Sequence, residues 1–291
     1  MRARELRLHY PVVYSAAMKR LWILALGLLA ISGCGGGTDT SGPGDLVYGI
    51  DSFGQLVSFR SGAPENLFQQ TAILGMESGE TIQSLDFRPE TSQLLGLSNA
   101  NSLYAIDAAT GVAELVRTPV VPVAENVFAA IECDPATDTV RLITSAGANY
   151  RIDPDTGSII GREDDLTLAG DAQAKPLLAD LAYLGLAGIP GPTLLGVDRT
   201  GRRLVLVGGE NGNPSPDGGV VTNIQTANAL PAVADGGRHL FDVEPSGGTA
   251  YLIAGTSGRD VYQVNLVNGA LTPLGTVAGQ GTLRAMSVLP N

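Results

Sequence analysis

The stretch "LRAMSVLPN" (residues 283–291) reads as one strand standing alone, and its shape recurs upstream in "IQSLDFRPE" (82–90), "FAAIECDPA" (128–136) and "RHLFDVEPS" (238–246). Alignment of the four places Asp86, Glu132, Asp242 and Ser287 in one column, each flanked by apolar neighbours and followed three positions later by Pro. A weaker copy, "LADLAYLG" (178–185), puts Ala182 in that column and lacks the Pro. The column recurs after 46, 50, 60 and 45 residues, close to the roughly 40 to 50 residues of a propeller blade.

A second motif follows each of three copies: "LYAIDAATG" (103–111), "NYRIDPDTG" (149–157) and "VYQVNLVNG" (261–269). Tyr104 with Ile106, Tyr150 with Ile152 and Tyr262 with Val264 keep the period of two of a strand. The Asp or Asn that follows, with Gly four residues later, is turn chemistry: a side-chain oxygen that bonds the turn backbone and a residue free to take positive φ. Between the motifs lie further short strands, "QLLGLS" (93–98), "TVRLIT" (139–144) and "TAYLIA" (249–254). Each unit is therefore four antiparallel strands with both faces apolar, which are buried only when such sheets pack radially.

Five first strands predict an all-β, five-bladed β-propeller. The stretch "LVYGIDSFGQLVSF" (46–59) resembles the second and third strands of a unit without its first, and 283–290 supplies that strand. Pairing of 283–290 with 46–59 is expected to close the ring and remove its open edges. Composition agrees: 44% hydrophobic and 16% charged residues suffice for a core, Gly 38 and Pro 17 suit many turns, and helical runs are absent past the N-terminus.

The N-terminus is a separate object. Lys19 and Arg20 precede eleven apolar residues, Leu21 to Ile31, which end in Ile31-Ser32-Gly33-Cys34. At about 1.5 Å per residue this run spans roughly half of a bilayer core, so it reads as a signal-peptide segment. I-S-G-C resembles the lipobox of bacterial lipoproteins. The resemblance implies a signal peptide over 1–33, with Met18 as a possible true start, and cleavage before a lipidated Cys34. Residues 34–45 then form a tether of "GGGTDTSGPG" type, and 46–291 the propeller. Gly35 after the Cys, in place of a retention Asp, implies the outer membrane in a cell that has one.

Residues 1–33 carry five of the 18 Lys/Arg and one of the 29 Asp/Glu, so their removal leaves 258 residues with a formal charge of −15. Such a surface argues against nucleic acid as a partner and leaves membrane attachment to the lipid. Cys133 then stands alone, which excludes an intramolecular disulfide; a buried inert thiol is expected.

The stretches "LVYGIDSFGQLVSF" (46–59), "SLDFRPETSQLLGLSNANSLYAIDAATG" (84–111) and "NYRIDPDTG" (149–157) resemble the bacterial domain-of-unknown-function family DUF4394 over essentially all of 46–290. The resemblance implies a propeller-like fold in secreted or envelope proteins without an established activity. The third unit departs from the pattern through an insertion, "GGENGNPSPDGG" (208–219), read as a flexible surface loop.

Familiar catalytic motifs are absent: no G-x-S-x-G, Walker loop, H-E-x-x-H or G-x-G-x-x-G. After Cys34 there is one His, His239, read as structural at a strand start, and one Lys, Lys175. Carboxylates remain. Asp86, Glu132 and Asp242 are expected around the central channel, where they either hold a metal such as Ca²⁺ or accept hydrogen bonds from strand amides and pair with Arg88 or Arg284. The acidic run 162–173, with Glu163, Asp164, Asp165 and Asp171, reads as a solvated linker between blades two and three or as a partner surface on the rim. These features predict a monomeric, lipid-anchored binding or scaffolding module of the cell envelope whose partner is an envelope protein or a carbohydrate. The alternative is a calcium-dependent propeller enzyme of the lactonase or glycoside-hydrolase kind.

Overall fold

A computed structural model describes residues 43–118, 120, 129–185, 191–224, 229–233, 237–246 and 248–290. Cys34, the expected signal peptide (1–33) and most of the expected tether (34–45) lie outside them. None of the helices among the described residues is long and apolar enough to cross a membrane.

In chain order, β1 (Leu46–Asp51), β2 (Gln55–Arg60) and β3 (Leu67–Ala72) precede the first complete blade, β4 (Ile82–Arg88), β5 (Gln93–Ser98), β6 (Leu103–Ile106) and β7 (Ala113–Arg117). The second blade is β8 (Ala129–Asp134), β9 (Thr139–Thr144), β10 (Asn149–Ile152) and β11 (Ile159–Arg162). After β12 (Thr167–Leu168), the third is β13 (Leu178–Leu184), β14 (Thr193–Asp198), β15 (Arg203–Val207) and β16 (Val220–Asn223). The fourth is β17 (Leu240–Val243), β18 (Ala250–Ala254), β19 (Asp260–Val264) and β20 (Leu271–Thr276), and β21 (Leu283–Val288) ends the series.

Five separate sheets result, and the fifth has the order β21-β1-β2-β3. Its register, Val47↔Val288, Tyr48↔Ser287, Gly49↔Met286 and Ile50↔Ala285, is the closure that the sequence predicts. The inner strands follow one another around the axis as β21, β4, β8, β13, β17 and back to β21. The ring is closed by hydrogen bonds between its two chain ends.

Burial falls from the axis outward, because an inner strand is covered on both faces and an outer one only in part. Every residue of β17 is buried, whereas none of β20 is. Each hydrophobic cluster straddles two blades: Leu95, Leu97 and Leu103 of the first blade meet Ile131, Leu142 and Ile152 of the second. Equivalent seams join the second to the third, the third to the fourth, the fourth to the fifth, and the fifth to the first. No sheet has a core of its own, so the blades are stable only together.

The Asp/Asn…Gly motifs form the expected turns. Asp107 Oδ1 accepts the amides of Ala109 and Thr110, both at 2.9 Å, and Gly111 at φ +76° returns its N–H to the Asp107 carbonyl. Asp153 and Asn265 repeat this arrangement.

Two segments differ from their sequence reading. The insertion 208–219 is docked rather than loose. It holds two 3-10 turns, Glu210–Gly212 and Pro216–Gly218; Pro216 is buried, and Asp217 Oδ1 accepts from Arg141 Nη2 of the second blade at 2.7 Å. The acidic run is also more than a linker, since Thr167 and Leu168 of β12 add a parallel fifth strand to the third blade beside β16. Leu166, Thr167 and Leu168 alternate over only three residues among charges, too short a run to read as a strand.

Candidate functional site: a strapped ring of buried carboxylates

The aligned column faces the axis, and its chemistry follows from where the inner strands leave their amides. Each column residue accepts the N–H one position past the column on the next inner strand. Asp86 Oδ2 takes Cys133 N at 2.6 Å, Glu132 Oε1 takes Tyr183 N at 2.7 Å, Asp242 Oδ2 takes Val288 N at 2.6 Å, and Ser287 Oγ takes Phe87 N at 3.0 Å. Ala182 has no oxygen to offer, and Val243 N turns to Asp242 Oδ1 of its own strand at 2.6 Å. A second tier lies two residues upstream, where Ser84 Oγ takes Ile131 N at 3.0 Å and Asp180 Oδ2 takes Phe241 N at 3.1 Å. Axial side chains thus satisfy buried amides that have no ladder partner on that side.

The same geometry crowds three acids. Oxygens of Asp86, Glu132 and Asp242 lie within 4.8 Å of one another, all buried. Ser287 Oγ sits 3.1 Å from both Asp86 Oδ1 and Asp242 Oδ2 and bridges them with its single proton. Three ionised carboxylates this close and this dry would repel strongly. Burial lifts the pKa of Asp86 to about 7 against the pull of the Cys133 amide. Burial and then the neighbouring Asp86 raise Glu132 and Asp242 well above the usual carboxylate range. The cluster therefore keeps protons at neutral pH unless a cation replaces them.

Beside the triad is a cavity of about 10 Å³ lined by the three acids, Tyr183 and the column prolines Pro89, Pro135 and Pro245. That is room for about one water. The donor set is hard oxygen only, which fits Ca²⁺ in kind; Asp86 and Glu132 each already accept an amide with one oxygen, and Asp242 does so with both. Larger spaces lie elsewhere: a depression of about 560 Å³ at Gln93, Ile106, Thr110 and Glu114, and one of about 480 Å³ at Leu184, Leu206, Ile224 and Val267.

The rim acids are dispersed and locally engaged. Glu163 faces Arg151 Nε at 3.3 Å, Asp165 pairs with Arg162 and with Lys175 at 3.8 Å, and Asp171 Oδ1 accepts Gln173 N at 3.0 Å. Asp164 contributes backbone, its N–H reaching the Asp217 carbonyl at 3.0 Å. The structure unites none of them with the channel acids. Arg88 does not pair with the triad either; it clamps Asp138 and Asp155 on the second blade, each at 2.6 Å. His239 is buried, with Nε2 2.8 Å from the Pro231 carbonyl, the structural role expected of it. Cys133 is 2% exposed and its thiol is pushed up by burial.

Sequence reasoning missed Asp180 and Arg238. Asp180 is buried two positions before the column, with a pKa raised by burial to about 7. An acid inside the otherwise apolar "LADLAYLG" was the available signal.

Comparison with solved structures gives distant likenesses. A structural genomics protein of unknown function from Bacteroides thetaiotaomicron is 13% identical over 84% of this chain and 65% of its own, with a TM-score of 0.48. YCF48 bound to a D1 peptide is 14% identical over 78% of this chain and 63% of its own, at 0.37. A glutaminyl cyclase of Myxococcus xanthus is 16% identical over 71% and 69%, at 0.40. The chain thus spans less than two thirds of the first two. No curated protein matches it. The family model described as "Domain of unknown function (DUF4394)" matches residues 55–287, and this chain belongs to that family.

Proposed function

We propose that this chain is a lipid-anchored β-propeller of the cell envelope that serves as a binding or scaffolding module. One observation carries the reading. The ring interior is filled by inter-blade straps and keeps about 10 Å³ at the acids, while depressions of about 560 and 480 Å³ open elsewhere. Recognition then belongs to loops and blade edges held by a rigid ring. Anchoring is supported by the apolar run Leu21 to Ile31 ending at Cys34. Growth of expressing cells with an alkyne-tagged fatty acid is expected to label the wild type and not Cys34→Ala; absence of label, or label that survives the substitution, overturns the anchor.

The mutual approach of three carboxylates within 4.8 Å favours a second reading, in which the triad holds Ca²⁺. Calorimetric titration with calcium is expected to give saturable heat that is lost in Asp242→Asn. Absence of heat removes the ion, and with it the lactonase- or glycosidase-like alternative that depends on a metal to polarise a carbonyl.

A further inference from the structure

Two departures from the repeat meet at the depression of about 480 Å³. It continues the hydrophobic seam between the third and fourth blades, since Leu184, Leu206, Ile224 and Leu266 belong to both. The first departure is the turn after β19. The equivalent turns of the first and second blades read Asp-Ala-Ala-Thr-Gly (107–111) and Asp-Pro-Asp-Thr-Gly (153–157), whereas that of the fourth reads Asn-Leu-Val-Asn-Gly (265–269). The backbone needs only the first and last of these residues: Asn265 Oδ1 accepts the amides of Val267 and Asn268 at 2.9 and 3.2 Å, and Gly269 takes φ +67°. Turn geometry therefore does not demand Leu266 and Val267. In the place of Val267 the second blade has Asp155, which pairs with Arg88 of the first blade. Val267 is instead 89% exposed and lines the depression beside Leu266.

The second departure is the insertion 208–219, which brings Glu210 and Asn211 to the same depression. These two are held in place. Asn211 N donates to Thr193 Oγ1 at 2.8 Å, Gly209 N donates to the Pro214 carbonyl at 2.8 Å, and a Cβ added at Gly191 would collide with the Asn211 carbonyl. Glu210 is the one charged residue of the lining, and among the described residues it has no base within ion-pair distance. The result is an aliphatic hollow with a single exposed carboxylate. Such a lining selects its occupant. Carbohydrate hydroxyls set against leucine, isoleucine and valine would lose hydrogen bonds to water and gain none. An acidic ligand would meet Glu210 on a chain whose formal charge is already −11. An aliphatic group with a cation beside it satisfies both surfaces. Because Val267 and Glu210 stand open to solvent, a lone small molecule would stay partly wet, whereas a side chain carried by a larger partner is covered by that partner.

We propose that this depression docks a peptide segment of a partner protein, which inserts a leucine-like side chain and sets a neighbouring lysine or arginine against Glu210. The inference rests on the binding-module reading and names the partner as a protein rather than a carbohydrate. Every blade lies between Leu46 and Val288, so the compact unit Thr38–Asn291 is the object to test, with Leu, Ile and Val methyl groups labelled for NMR. The probes are maltotriose and the acetylated, amidated peptides Gly-Leu-Leu-Lys-Gly, Gly-Leu-Leu-Glu-Gly and Gly-Ser-Ser-Lys-Gly. Saturable shifts of the Leu206, Ile224 and Val267 methyls are expected with the Leu-Lys peptide at up to about 10 mM. Affinity should be about threefold to fivefold weaker for the Leu-Glu peptide, and the Ser-Lys peptide should give no shift. Glu210→Gln should remove the preference for lysine over glutamate, and Val267→Asn should weaken both leucine peptides at least about threefold. Both side chains are exposed, so the variants are expected to melt as the wild type does. No saturable shift of these methyls, equal affinity of the wild type for the Leu-Lys and Leu-Glu peptides, or binding of maltotriose at these methyls overturns the site. Shifts confined to methyls elsewhere on the ring also overturn it while leaving the binding-module reading standing, and lipidation at Cys34 bears on neither result.

Discussion

Stability should fall as pH rises through the neutral range, and the carboxylate triad is the reason. Asp86 holds its proton to about pH 7, whereas an ordinary aspartate releases it near 3.8. Between those values the unfolded chain is ionised at this position and the folded chain is not, so each pH step favours unfolding. Three pH units at about 1.4 kcal/mol each give about 4 kcal/mol, roughly 3 of it between pH 5 and pH 7. Glu132 and Asp242, also raised by burial and by their neighbours, act in the same direction. His239, kept neutral by burial, acts oppositely below pH 6.5. Asp138 and Asp217, lowered by Arg88 and Arg141, are ionised in both states above pH 5 and drop out. The assay is urea unfolding by circular dichroism at pH 5, 6, 7 and 8 in EDTA, for the wild type and Asp86→Asn. Asparagine keeps an acceptor for Cys133 N and cannot ionise, so its curve should be flatter by about 3 kcal/mol across pH 5 to 7. The comparison cancels His239. Parallel curves, or a wild type more stable at pH 8 than at pH 5, would refute the crowded, proton-sharing triad.

Deletion of 283–291 should cost on the order of 5 kcal/mol from Leu283, Met286 and Val288 alone, each at most 3% exposed, and expose the edge of β1; an unchanged melting temperature would contradict the closed ring. Arg88→Ala should lower stability by about 1–2 kcal/mol in urea unfolding, because the guanidinium is buried while Asp155 is largely exposed and screened; no change would show the clamp to be energetically idle. Cys133 should not react with a thiol-specific chromogenic disulfide until the protein is unfolded, and rapid native labelling would place it at an accessible site.

The ring was legible because it is written in repeats. The column of Asp86, Glu132, Ala182, Asp242 and Ser287 survives intact in three dimensions, including the weak copy at Ala182, since pairing registers place all five on inner strands. Alternation and turn chemistry are local properties that neighbouring residues impose on each other. Their contacts were not legible. Arg88 looked like a partner for the column acids because it lies two residues from Asp86, but that neighbourhood in sequence says nothing of direction, and its side chain reaches Asp138 and Asp155. The docking of 208–219 depends on Arg141 and Asn149 from another blade, which no pattern inside the insertion encodes.

Departures from the repeat then carry information that the repeat cannot. Four copies offer a column oxygen to the next strand; the third offers Ala182 and supplies Asp180 one tier away instead. A buried carboxylate at that depth is costly unless matched, and the matching charge, Arg238, enters just before β17 at the same junction. Elsewhere the column keeps an oxygen, from Asp86, Glu132, Asp242 or Ser287, and at this junction it does not. The junction where the strap is displaced and an arginine crosses the channel is where local consistency yields to something else, and such sites are where binding is to be sought.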